Sequence, residues 1–191
     1  MASSSTIKRL HRELAEYQSS SNEAILHLNP ISDDDLLHWE AVLKGVPNTP
    51  YEGIHPPKTP KKQTVRYLMR LYDIDGLWSL KISIPSTYPL SPPTITFTTP
   101  ICHPNISFTT GEICLTLLTT EHWTPAYTLS STLLAIHQLL TDPQPDSPLN
   151  VDIAALLRAG DLLGWESLVR YWTAEERWNG YEKLRNIKLR A

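Results

Sequence analysis

The stretch LWSLKISIPSTYPLSPPTITFT, residues 77–98, decides how this chain of 191 residues is read. Its first half alternates: Trp78, Leu80, Ile82 and Ile84 are apolar, and Ser79, Lys81 and Ser83 between them are polar. A period of two marks a half-buried strand, and Pro85 ends it. Thr94–Thr98 is a β-branched run and reads as the next strand. Upstream, Ala24–Leu28 and Leu37–Leu43 are short apolar runs that read as two further strands. Strands in sequence with short turns between them favour an antiparallel meander.

A helix is expected before the strands. Ile7, Leu10, Leu14 and Tyr17 fall at helical spacing, Thr6 is the N-cap candidate, and Lys8, Arg9 and Arg12 occupy the other face. From 101 to 128 no period persists, which predicts a long irregular segment; such loops tend to carry function. Ser130–Leu140 reads as a buried helix that DPQPDSP (142–148) cannot continue. Val151–Ala159 reads as a short helix stopped by Gly160. Trp165, Leu168, Val169 and Trp172 give the stripe of a last helix, with Gly180 as its expected end. The fold class is α+β: an N-terminal helix, a four-stranded antiparallel meander, a long loop, a central helix and C-terminal helices. Residues 1–180 are expected to form a single domain, and 181–191 a basic tail.

Composition narrows the function classes. Seventeen Lys and Arg against 20 Asp and Glu give a formal net charge of −3, with no overall basic footprint for nucleic acid. No run approaches the length of a membrane span, and the N-terminal MASSSTIKRLHREL has no apolar core of a signal peptide. Two Cys make neither a disulfide framework nor a four-thiolate zinc site. The charge is uneven: residues 82–157 hold Glu112, Glu121, Asp142, Asp146 and Asp152 but no Lys or Arg.

The irregular segment gathers Cys102, His103, Asn105, Cys114 and His122. A thiol hydrolase usually draws its Cys, His and Asn from distant parts of the chain, whereas here they crowd into twelve positions. Zinc would find only Cys102, His103 and Cys114, without ligand-pair spacing, so no metal site is expected. The plainest alternative is that both cysteines are small buried hydrophobes. A Cys102–Cys114 disulfide is open but disfavoured in a reducing compartment.

HPNISFTTGEICLTLL (103–118) resembles the active-site signature of ubiquitin-conjugating enzymes: His-Pro-Asn, a short gap, then Gly-Glu-Ile-Cys-Leu. Flanking blocks agree in order: TPYEG (49–53), IPSTYPLSPPTITFTTPICHPN (84–105) and HWTPAYTLSSTLLAIHQLLTDPQPDSPLN (122–150). The resemblance implies that Cys114 accepts ubiquitin as a thioester from an activating enzyme and passes it on. A thiol suits that exchange because it attacks one thioester reversibly and leaves readily in the next step. No Lys or Arg lies within thirty residues of Cys114 to favour its thiolate, and Glu112 lies two away.

The resemblance assigns Asn105 to the oxyanion or to ordering the loop, His103 to a structural place in that loop, and Ser147 to the gate position beside the thioester. Tyr88–Pro89 matches a turn that is cis in relatives. Thr116 stands where the family often has Asp, and Ser147 follows Asp146 at the gate, so two carboxylates that would prepare an attacking lysine are missing or altered. A cysteine acceptor needs less of that help. Lys8, Arg9 and Arg12, with Leu90 and Thr124, Pro125 and Ala126, match the surface that meets activating enzymes and RING-type ligases. No cofactor is implied, since ATP is used by the upstream activating enzyme. Relative to the family, about 22 residues at 54–75 are inserted, with five cations against two acids, which makes them a candidate docking surface.

NVDIAALLRAGDLLGWESLVRYWTAEERW (150–178) is similar to the peroxisomal branch of the family, peroxin four. That implies recruitment to the cytosolic face of the peroxisome by a membrane-anchored peroxin, peroxin twenty-two, and the recycling import receptor as substrate. The alternatives are a general cytosolic enzyme, one for another ubiquitin-like modifier, or a non-catalytic binding module on the same fold.

Overall fold

A computed structural model describes residues 3–20, 22–54 and 74–180. Helix α1 spans Ser4–Ser19. Its cap is Ser3, whose hydroxyl accepts from the Thr6 amide at 3.1 Å, and not Thr6 as expected. Thr6 is buried in the first turn and donates its hydroxyl to the Tyr88 carbonyl at 2.7 Å. A partner 82 residues away therefore decides between two residues that are equally able to cap. Ile7, expected on the buried stripe, is exposed. The inward face is Leu10, Glu13, Leu14 and Tyr17.

Strands β1 (Ile25–Ser32) and β2 (Asp35–Lys44) form the first hairpin. Next comes a two-residue ladder of β3 (Gly53–Ile54) with β4 (Ile74–Asp75). Strands β5 (Leu77–Ser83) and β6 (Thr94–Phe97) complete the main sheet, whose order is β1-β2-β5-β6 with every pair antiparallel. This is the expected meander. The β3–β4 ladder joins the two ends of the insertion; residues 55–73 lie outside the described residues, as does the tail 181–191.

The alternation in β5 points Trp78, Leu80 and Ile82 into one core with Trp39, Ala41 and Leu43 of β2 and Ile95 and Phe97 of β6. Helix α2 (Leu129–Leu139) covers them with Leu133 and Ile136, beside Leu10 of α1. Each large apolar side chain buried there contributes roughly 1.5–3 kcal/mol. α2 opens with a capping box in which Thr128 and Ser131 satisfy each other's amides. Helix α3 (Val151–Arg158) ends at Gly160, which takes the left-handed conformation at φ 72°.

Helix α4 covers Leu162–Glu176 and stops short of Gly180. The chain leaves it so that Trp178 can pack on Leu77 and Val42 on the outer sheet face, with its amide donating to the Leu77 carbonyl at 2.8 Å. Among the described residues no helix is long and apolar enough to cross a membrane.

Candidate active site

Residues 98–128 are irregular in repeat but not in bonding. Beyond β6 the chain turns back on itself as a tight loop over 105–114. The Gly111 carbonyl accepts from the Phe97 amide at 2.9 Å, the Ser107 amide donates to Glu112 at 2.9 Å, and the Cys114 amide donates to Asn105 at 2.8 Å. Gly111 is required at this turn. Its φ is 71°, and a Cβ there would stand 1.9 Å from the Phe97 carbonyl oxygen.

The two cysteines diverge. Cys102 is 3% exposed, and burial pushes its thiol up to about 12, so it is a small hydrophobe. Cys114 is exposed and does not fit the reading of two buried cysteines. It lies on the wall of an open groove of about 840 Å³, shared with Ser91, Thr119, His122 and Leu149. Glu112 and Glu121 are on the same wall, and among the described residues no Lys or Arg lines it.

His103 is fully buried. Its Nε2 donates to the Leu139 carbonyl at 3.0 Å and its Nδ1 accepts from the Asn105 amide at 3.0 Å. Burial holds its pKa down at about 4, against a smaller opposing pull from the Leu139 carbonyl. The ring therefore has no free nitrogen to take a proton from Cys114.

Asn105 is also fully buried, and its side chain clamps the turn after α2. Nδ2 donates to the carbonyls of Gln144 at 2.7 Å and Ser147 at 3.0 Å, and Oδ1 accepts from the Gln144 amide at 2.8 Å. Ser147 itself is exposed, on the turn that this clamp fixes. The Pro104 carbonyl accepts from the amides of Leu149 and Asn150, which pins the cysteine loop to the start of α3. Tyr88–Pro89 is cis.

The positions expected to meet partners fall on adjoining segments. Leu90 is 75% exposed; Thr124, Pro125 and Ala126 are exposed, as are Lys8 and Arg12. Arg9 is half-buried and not part of an open basic face: its Nη2 donates to the Tyr127 carbonyl at 3.0 Å. Trp123 Nε1 donates to the Pro89 carbonyl at 2.8 Å, joining the Leu90 turn to the 124–126 loop. Sequence reasoning missed Gln144, the partner of Asn105, and Glu13, a buried carboxylate. The only signal for Glu13 is a carboxylate between Leu10 and Leu14 on an apolar stripe.

The ubiquitin-conjugating enzyme family model matches residues 70–170. Ubiquitin-conjugating enzyme E2 16 of Schizosaccharomyces pombe is 44% identical over 169 residues, covering 88% of this chain and 91% of that protein. Ubiquitin-conjugating enzyme E2 PEX4 of Gibberella zeae is 44% identical over 183 residues, 94% of each chain. Among solved structures, the H. polymorpha ubiquitin-conjugating enzyme Pex4p, crystallised with the soluble domain of Pex22p, superposes with a TM-score of 0.73 at 32% identity. That match covers 91% of this chain and 98% of that one. The signature loop, the meander that carries it and these likenesses agree: the chain belongs to the ubiquitin-conjugating enzyme family.

Proposed function

We propose that Cys114 takes ubiquitin as a thioester from an activating enzyme and transfers it to a peroxisomal import receptor during receptor recycling. The enzyme is held at the peroxisomal membrane by a membrane-anchored protein of the Pex22p kind. The observation that carries the chemical part is the contrast between the two cysteines: Cys114 is open at a groove, and Cys102 is sealed in the core. The membrane role is supported by the likeness to Pex4p, a protein crystallised with Pex22p. Asn105 orders the turn beside the thioester, since both protons of its amide are already given to that turn. Ser147 is the gate, and His103 holds the loop from behind. Lys8, Arg12, Leu90, Thr124, Pro125 and Ala126 form the docking face for the activating enzyme and a RING-type ligase. Thr116, in place of an acid, favours a cysteine acceptor over lysine.

The test is charging with ubiquitin, activating enzyme and Mg-ATP on a non-reducing gel. A band one ubiquitin heavier, erased by reductant and absent in Cys114→Ala, is the expected result. Discharge to free cysteine should outpace discharge to free lysine by more than in an enzyme with both acids. No band in a folded protein, beside a working control enzyme, would sink the assignment of Cys114. Charging with a different modifier instead would favour the other-modifier reading.

A further inference from the structure

Among the described residues Glu13 is the buried carboxylate, and the chemistry at Cys114 has no use for it. It sits on the inward face of α1 with 2% of its side chain exposed. Taking a carboxylate out of water costs several kcal/mol unless donors replace the lost hydration. Three do so here. The Tyr88 hydroxyl donates to Oε1 at 2.7 Å, Arg9 Nε donates to the same oxygen, and the Leu129 amide donates to Oε2 at 2.7 Å.

The donors come from three separate parts of the chain. Arg9 is on α1. Tyr88 opens the turn that presents Leu90. Leu129 is the first residue of α2 and follows directly on the 124–128 loop. Its amide is one of the first-turn groups that a helix cannot pair internally, at the positive end of the helix dipole. Arg9 continues the linkage to the Tyr127 carbonyl, and Thr6 adds a second tie from α1 to the Tyr88 turn. An apolar residue at position 13 would avoid the desolvation cost, but it could not fix three backbones against one another.

We propose that Glu13 is a positioning residue for the docking face. It touches no partner; it sets α1, the Tyr88–Leu90 turn and the 124–128 loop in one arrangement, so that Ile7, Lys8, Arg12, Leu90, Ala126 and Tyr127 present a single surface. This rests on the docking reading above. It predicts that the carboxylate acts on affinity for the activating enzyme rather than on the chemical step.

Glu13→Gln keeps the shape but puts an NH₂ against an N–H donor whichever way the amide turns. Charging would be measured with ubiquitin, activating enzyme and Mg-ATP, at a temperature where circular dichroism shows each variant folded. KM for the variant should rise about tenfold while kcat moves much less. Amide NMR shifts should concentrate at 86–90 and 124–130. Tyr88→Phe removes one donor and should raise KM in the same direction by less; it carries the test if Glu13→Gln does not fold. Leu90→Ala and Ala126→Asp test the surface itself. If those two raise KM while Glu13→Gln and Tyr88→Phe leave it unchanged, Glu13 only packs the interior and the proposal fails while the docking reading stands. If none of the four changes KM, the docking reading fails and takes the proposal with it. A fall in kcat at constant KM would place the network in the chemical step and overturn the proposal.

Discussion

His103 has both ring nitrogens committed to hydrogen bonds, one to Leu139 and one to Asn105, which leaves neither for proton transfer. Its ring is kept neutral: the folded chain accepts a proton only near pH 4, whereas an exposed imidazole takes one near 6.5. Between those values the unfolded chain binds more protons, so the stability due to His103 is complete above about pH 6.5 and lost as the pH falls toward 4. By pH 5 the loss from this ring alone is about 2 kcal/mol. His103→Gln can donate to Leu139 and accept from Asn105 without titrating. Denaturant unfolding at pH 7.5 and pH 5 should show the wild type losing more stability than the variant; equal losses would refute the assignment. Asn105 makes a second case. Asn105→Asp replaces an NH₂ that serves two carbonyls with an oxygen that repels them. Hydrogen exchange at 142–149 should quicken, and charging should slow about tenfold or more. If charging slows with exchange unchanged, Asn105 acts on the oxyanion and not on the turn. Both positions are legible in the sequence as members of a His-Pro-Asn motif, but their partners are not. Leu139 and Gln144 lie 36 and 39 residues away, and nothing in the local pattern points to them.

Elements are legible to the degree that their determinants are local. The alternation of β5 and the β-branched run of β6 are self-contained signals, and both strands form where the pattern puts them. The boundaries of α1 and α4 are not self-contained. Thr6 is drawn inward by the Tyr88 carbonyl, and α4 is cut at Glu176 because Trp178 is needed on the outer sheet face. The 105–114 loop lies between these extremes. It has no period, yet its shape depends on one local residue, Gly111. Gly111→Ala combines a positive φ, which disfavours Ala by about 1–2 kcal/mol, with a clash against β6. The loop must lift from Phe97, and the Asn105–Cys114 bond shifts with it. Thermal unfolding should come several degrees lower, and charging should slow more than Cys114 alkylation by a small reagent, because only charging requires the groove to keep its shape. Equal slowing of both would mean that the loop is lost altogether.

For the molecule as a whole, the core and the site are held together by contacts among the described residues. The core cluster among the described residues draws on α1, the sheet, α2, α3 and α4, and the site is pinned by Asn105, Pro104 and Gly111. The stem of the insertion is closed on its own account. Gly53 pairs with Asp75, the Gly76 amide donates to Glu52 at 2.9 Å, and the Gly45 amide donates to Gly76 at 2.7 Å. Replacing residues 55–73 by Asn-Gly should therefore leave a two-residue hairpin turn on an existing ladder. A shorter loop is easier to close, by roughly 2 kcal/mol at most on the logarithmic scaling of closure entropy, so the melting temperature should hold or rise. Charging by the activating enzyme should persist, because the proposed docking face lies on α1, the Leu90 turn and the 124–126 loop. Binding to the soluble domain of a Pex22p-type partner, and discharge with a ligase present, should be measured on the same variant. If charging holds and one of those two falls, the five cations of the insertion serve that partner. A loss of charging in a folded variant would instead move the activating-enzyme contact onto the insertion and contradict the docking face proposed here.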